Sequence, residues 1–168
     1  MSAINHLHPA LVHLPLGLWV TVAPLYSAAR YYGGSAAGGR LAAAATVNLV
    51  LGSLLAVVAL FTGLLAVSGL TVLGAAQVTL THHITWAVFA SLLMISIALL
   101  RSVGRPLDEL PGTVMLACLW LALIPVVYTG YYGGLNVYSH ALGVDVAAAA
   151  RDRIKPLSPS PTAPPTAP

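Results

Sequence analysis

Among its 168 residues the chain carries seven Lys or Arg and four Asp or Glu, so 7% is charged while 58% is hydrophobic. A soluble domain carries roughly 25% charged residues, and a mean hydropathy of +0.89 leaves too little polar surface for one. That balance excludes an ordinary soluble enzyme and a charge-rich disordered chain. It also excludes a nucleic-acid binder, because the net charge of +3 reflects scarce acids rather than a basic stripe.

Residues 1–29, 41–100 and 110–144 hold no Lys, Arg, Asp or Glu. Runs of that length suit hydrocarbon, where a spanning helix takes ~20 mostly apolar residues. The first expected span is 9–32. Pro9 suits the first turn of a helix, and Pro15 and Pro24 inside the span each free a carbonyl one turn back and bend it. A short loop over 33–39 precedes a second span, 41–67, whose small residues permit close helix approach. An uncharged loop, 68–78, leads to a third span over 79–100. Residues 101–111 form the most polar loop. The fourth span is 112–132, with Pro125 as a kink, and a Gly-rich segment over 130–146 follows it. The pattern predicts an all-α integral membrane bundle of four transmembrane helices over residues 1–150, both termini on the same side. A disordered Pro/Ala-rich C-terminal tail is expected over 151–168. A signal peptide would need Lys or Arg ahead of its apolar core, and none precedes the first span.

Side A of this bundle holds both termini and the loop between spans two and three; side B holds the other two loops. Arg30, Arg40, Arg101 and Arg105 all fall on side B, which the positive-inside rule makes cytoplasmic. The expectation is a multi-pass protein of the bacterial inner membrane with both termini periplasmic. Arg151, Arg153 and Lys155, on side A, run against it.

All six histidines, His6, His8, His13, His82, His83 and His140, fall at side A. His13, His82 and His83 lie about four residues into their helices, ~6 Å along the axis, a depth at which an ionisable group normally faces the bundle interior or a wet cavity. Neutral imidazole is a ligand for zinc, copper, nickel and haem iron. The candidate cofactor ligands are therefore His13, His82, His83 and His140, and the candidate set for a transition metal adds His8. His82 and His83 point ~100° apart on a helix, so one faces inward, and periodicity does not choose between them. Haem b would take His13 against His82 or His83, with Trp19, Trp86 and the tyrosines from Tyr128 to Tyr138 as walls. A three-histidine zinc or copper site is the other geometry.

Blander roles compete with these. Histidines at helix ends cap, meet headgroups or hydrogen-bond a neighbouring helix, and His6 and His8 read most simply that way. Tyr and Trp form interfacial belts. Asn48 is expected to hydrogen-bond another helix. Cys118 is the lone cysteine, which excludes an internal disulfide and a Cys-x-x-Cys-His haem attachment, and it reads as a small lipid- or core-facing residue. No catalytic set appears: Asp145 is the one acid near the histidines, and no span holds a carboxylate for a proton relay. A transporter would show internal repeats or polar mid-span positions, and neither is evident.

Two segments carry a resemblance. His8-Pro9-Ala10-Leu11-Val12-His13-Leu14-Pro15-Leu16-Gly17 fits H-P-x-x-V-H-x-P-x-G. Residues 130–144 resemble G-x-x-G-G-x-x-V-Y-x-H-G-x-G-V, with Ala141 where Gly is usual, so the tight turn after His140 falls on a residue with a Cβ. With a histidine opening the third span, the chain resembles, over roughly residues 6–146, the bacterial four-span membrane family catalogued as domain of unknown function 2231. The resemblance places the family's motif histidines on His8, His13, His82 or His83, and His140, and its motif glycines on Gly17, Gly130, Gly133, Gly134 and Gly143. Some relatives carry periplasmic cytochrome-like domains, which implies a redox role with side A outside. The expected function is a haem b- or metal-binding subunit of an electron-transfer system, partnered by the lipid bilayer and by a periplasmic cytochrome or redox subunit. The alternative is a non-catalytic accessory or anchor subunit with structural histidines.

Overall fold

The structure, a computed structural model, describes residues 3–68 and 70–143. These form helices α1 (Ala3–Leu11), α2 (His13–Tyr31), α3 (Ala36–Val67), α4 (Ala75–Ser102) and α5 (Thr113–Tyr138). Four helical stretches, Leu7–Tyr31, Ala36–Val67, Ala75–Ser102 and Thr113–Tyr138, are long and apolar enough to cross a membrane. They run alternately up and down, so α1 and the end of α5 share side A. The expected tail over 151–168, with Arg151, Arg153 and Lys155, lies outside the described residues, as does Asp145.

The element ends follow from local chemistry. The first span breaks at Val12, between α1 and α2. Pro15 has no N–H for the Leu11 carbonyl, so the ladder is interrupted one turn before the proline. At side B, Gly33 takes φ +57°, a left-handed conformation that glycine adopts without a Cβ clash. Ser35 then caps α3, its Oγ accepting from the Gly38 N–H at 3.2 Å. That cap starts α3 five residues earlier than expected. At the other extreme, α5 runs through Gly130, Gly133 and Gly134 to Tyr138, where a loop was expected. Glycine weakens a helix in water by roughly 0.5–1 kcal/mol, but in a membrane span no solvent competes for the backbone, and the helix continues.

The bundle is built from two hairpins, α2 with α3 and α4 with α5, packed side by side into a closed ring. The buried positions of α3 include Ala42, Ala45, Leu49, Gly52, Ala56 and Ala59, alternately three and four residues apart. That is the seam of helices packed at a shallow crossing angle. Those of α5 include Leu119, Ala122, Val126, Thr129 and Asn136, and from Leu119 to Thr129 they repeat the spacing from Leu49 to Ala59. The same holds between the hairpins' first helices. Pro15, Trp19, Val22 and Tyr26 of α2 stand at the spacing of Ala90, Met94, Ile97 and Arg101 of α4. The two hairpins are thus an internal repeat, carried by burial register rather than by residue identity, which is why the sequence shows none.

Tyr26 and Arg101, 75 residues apart, occupy equivalent positions and touch: Arg101 Nε donates to Tyr26 Oη at 3.1 Å. Equivalent residues in contact lie at the axis that relates the two halves. Arg101 is 1% exposed. Its Nη2 donates to the carbonyls of Pro106, Leu107 and Glu109 at 2.9, 3.2 and 2.6 Å, which binds the loop between α4 and α5 to the bundle. Tyr26 Oη is in turn 2.7 Å from Thr46 Oγ1. Arg101 thus sits in the last turn of α4 as a core residue, not in a solvated loop.

Candidate functional site

At the side A end the equivalent of the Tyr26–Arg101 pair is His8 with His83, separated in sequence by the same interval. Each imidazole docks onto the second helix of its own hairpin, and the two dockings are alike. His8 Nδ1 donates to the Ala59 carbonyl at 3.0 Å; His83 Nδ1 donates to the Thr129 carbonyl at 3.0 Å. A carbonyl only accepts, so the proton sits on Nδ1 in both rings. Four residues beyond each acceptor stands a glycine that makes room for the ring. A Cβ on Gly63 would fall 2.7 Å from His8 Cε1, and one on Gly133 would fall 3.2 Å from His83 Cε1. Gly133 is helical, and its role is the missing Cβ under His83. Both rings are half-buried, and they lie close enough for a charge on one to reach the other. Neither Nε2 has a hydrogen-bond partner among the described residues.

The remaining histidines take other places. His13 is exposed, its Nδ1 donating to the Pro9 carbonyl one turn back at 2.8 Å. Five residues on a helix turn His8 and His13 about 140° apart, so the inward position belongs to His8 and not to His13. His82 is exposed and stacks on Tyr132, ring centroids 5.1 Å apart at 23°. His83 is therefore the inward member of that pair. The stack continues from Tyr132 to Tyr128 and on to Trp86, along the outer seam of α4 and α5. Tyr128 and Tyr131 are 44% and 58% exposed, which suits an interfacial belt. Trp19, the other expected wall, is buried against Gly52 in mid-bundle. His13 and His82 thus both face outward, and Trp19 lies apart from the Trp86–Tyr128–Tyr132 stack. The side chain of His6 lies outside the described part.

His140 is half-buried, with Nε2 3.1 Å from Thr79 Oγ1. The Thr79 hydroxyl donates to the Ala75 carbonyl, so it accepts from His140 Nε2–H. No group of three or more His, Cys, Asp or Glu side chains able to hold a metal is gathered among the described residues. Asn136 of α5, one turn beyond Gly133, is buried at 6% exposed, and its Oδ1 has no partner among the described residues. Two clefts, about 590 Å³ at Gly33–Arg40 with Asp108 and about 410 Å³ on the outer face of α5, both lie away from the pair. Asn48 Nδ2 donates to Thr21 Oγ1 across the first hairpin at 2.8 Å, as its mid-span place requires, and Cys118 is free and exposed on α5. Sequence reasoning missed Ala59, Gly63, Thr79 and Thr129. The signal for Gly63 was its place at the end of the three-and-four seam of small residues.

Fold and composition define a four-span, all-α integral membrane protein. Residues 5–146 match the family model described as "Predicted membrane protein (DUF2231)", and the chain belongs to that family. No curated protein and no solved structure matches it.

Proposed function

We propose that this protein is an inner-membrane subunit that holds a transition-metal centre between His8 and His83 and serves one-electron transfer at the periplasmic face. The observation that carries the reading is the pair of Nε2 atoms without a hydrogen-bond partner among the described residues. Two imidazoles from equivalent positions are each fixed by Nδ1–H to a backbone carbonyl, the arrangement that orients a ligating histidine and raises its basicity. Two imidazoles satisfy the axial demand of haem b, whose ring brings four nitrogens of its own. A bare iron or copper ion would add water or His140. The unpartnered Asn136 amide offers an acceptor for such a water. The donor set thus fits either centre. Orientation rests on the exposed arginines Arg30, Arg40 and Arg105 at side B, and a periplasmic cytochrome or redox subunit is the partner this implies.

The test is protein purified in detergent from cells replete in iron, copper and haem precursor, read by a reduced-minus-oxidised spectrum and by elemental analysis. A Soret and α band, or near-stoichiometric iron or copper, is expected in the wild type. It is lost in His8→Gln and His83→Gln and kept in His13→Gln. Neither band nor metal in the wild type overturns the reading. A second reading has its own observation: the same Nδ1 bonds tie α1 to α3 and α4 to α5. In that case the protein is an accessory or anchor subunit with histidines as helix locks. Each variant then loses only about 1 kcal/mol of stability and keeps its co-purifying partner.

A further inference from the structure

The geometry points to a binding site for a lipid-soluble quinone on the outer seam of α4 and α5, at Trp86 and Tyr128. His82, Tyr132, Tyr128 and Trp86 stack there in a row, with centroids 5.1, 6.3 and 5.0 Å apart and planes 23°, 25° and 19° apart at successive steps. The internal repeat shows that the seam does not need these rings for packing. The equivalent positions on α1 and α3 hold Leu7, Thr62, Val58 and Leu11, and that hairpin closes as well. Val58 is 47% exposed and Tyr128 44%, so the two seams meet the same surroundings with different chemistry.

Exposure suits Tyr128 to an interfacial belt, but depth sets it and Trp86 apart from one. Tyr128 lies about ten residues from the side A end of α5, and Trp86 about eleven from that of α4, ~15 Å along each axis. Helices of this length overhang a hydrocarbon core of ~30 Å by only ~5 Å at each end. Both rings therefore lie ~10 Å below the headgroup level at which belt residues sit. The Trp86 indole N–H and the Tyr128 hydroxyl have no hydrogen-bond partner among the described residues, and hydrocarbon offers them none. An unanswered donor at that depth is costly, which calls for an acceptor that the membrane itself supplies. Phospholipid ester and phosphate oxygens stay at the headgroup level. A quinone carries its acceptor carbonyls on a flat ring that can stack on Tyr and Trp, and its apolar chain takes it to this depth. The chain has a place too. The cleft of about 410 Å³ lined by Trp120, Leu123, Ile124, Val127 and Tyr128 extends from Tyr128 toward side B over apolar side chains. The other end of the stack adjoins the histidine pair: His82 precedes His83, and Tyr132 precedes Gly133. The site binds on its own account; only its use, to exchange electrons with a centre at the pair, rests on the function proposed above.

Photolabelling of the full chain in phosphatidylcholine nanodiscs with a short-chain azidoubiquinone, mapped by mass spectrometry, tests this without requiring any bound metal. In the wild type, label collects on the α4 and α5 peptides that hold Trp86 and Tyr128, and excess unlabelled ubiquinone of the same chain length removes it. The seam of Leu11 and Val58 stays at the background of the lipid-facing surface. Trp86→Leu with Tyr128→Val gives the second hairpin the residues with which the first already folds, and it cuts the label to that background. Tyr128→Phe keeps the ring and removes the donor. Its half-saturation concentration rises about fivefold to tenfold, the change one lost hydrogen bond gives. Should the double variant fail to fold, the two wild-type seams and Tyr128→Phe still decide. Label shared equally by both seams means that the quinone only partitions into the bilayer, and it overturns the site. So does an unlabelled seam, as when a second copy of the chain covers it, or a Tyr128→Phe half-saturation equal to the wild type. Displaceable label on the α4–α5 seam of a protein with no metal would remove the proposed function and leave the site; a metal signal with label shared by both seams would do the reverse.

Discussion

The two ends of the bundle solve the same problem differently. Each places nitrogen bases at the axis between two repeated hairpins. At side B, Arg101 is sealed from solvent, and Tyr26 and three loop carbonyls take its hydrogen bonds. At side A, His8 and His83 each use one ring nitrogen on a carbonyl and leave the other open. The Arg101 cation is thus bonded to neutral oxygens alone, with its Nη1 left without a partner among the described residues. At the opposite end, at equivalent positions of the repeat, neither imidazole Nε2 has a hydrogen-bond partner among the described residues, and it is there that the proposed ligand would sit. The contrast also reads the arginines apart. Arg30, Arg40 and Arg105 are surface cations, whereas Arg101 holds the loop between α4 and α5 in place.

The comparison is tested hardest at Arg101. Arg101→Met keeps the apolar stem but removes every guanidinium bond to the loop, leaving the Glu109 carbonyl without a donor while Thr46 still meets Tyr26 and the Leu107 carbonyl. A loss of about 3 kcal/mol is expected, read as a fall in the thermal midpoint in detergent. Arg101→Lys recovers little, because a single ammonium cannot span the positions that a planar guanidinium holds at Nε and Nη2. A midpoint within one degree of the wild type for Arg101→Met would show that side B is no better sealed than side A. The glycine pair gives a smaller and more discriminating effect. Gly63→Ala pushes a methyl to 2.7 Å from the His8 ring, Gly133→Ala only to 3.2 Å from that of His83. Overpacking at Gly63 costs about 1–3 kcal/mol, part of which alanine's better helix propensity returns. At Gly133 a shift of a few tenths of an ångström suffices, and the two terms nearly cancel. Thermal midpoints should therefore order as Gly133→Ala above Gly63→Ala. The reverse order would mean that the two dockings are not equivalent.

How much of this is legible in the sequence depends on which solvent a residue is read against. The four spans follow from charge-free runs, since a chain with so few charged residues has nothing else to put in water. The side A gathering of histidines follows from topology alone. Gly133 and Gly134 read as loop because glycine breaks helices in water; in the bundle Gly133 is a notch for an imidazole within an unbroken helix. Gly63 is hidden for another reason. It ends a seam of Gly38, Ala42, Ala45, Leu49, Gly52, Ala56 and Ala59, but α3 is so rich in alanine on every face that the seam does not stand out. The repeat is hidden likewise, because Tyr26 and Arg101, or Trp19 and Met94, share a burial position and no chemistry. His83 over His82 is decided by the rotation of α4 against α5, a tertiary fact that no local pattern on a nearly all-apolar helix encodes.

The smallest expected effect falls on the one residue where the chain departs from its family's motif. Glycine is usual at the position of Ala141, and the turn there does require a left-handed backbone, at φ +52°. Alanine in that region costs roughly 1–2 kcal/mol relative to a right-handed conformation, while glycine is free of the clash but gives the unfolded chain more freedom to lose. The balance favours glycine, so Ala141→Gly is expected to raise stability by about 0.5–1 kcal/mol. In a span-rich protein that is a rise of a few degrees in the thermal midpoint, with the metal content or spectrum of the purified protein unchanged. A variant that is less stable than the wild type would mean that the turn after His140 is not held left-handed.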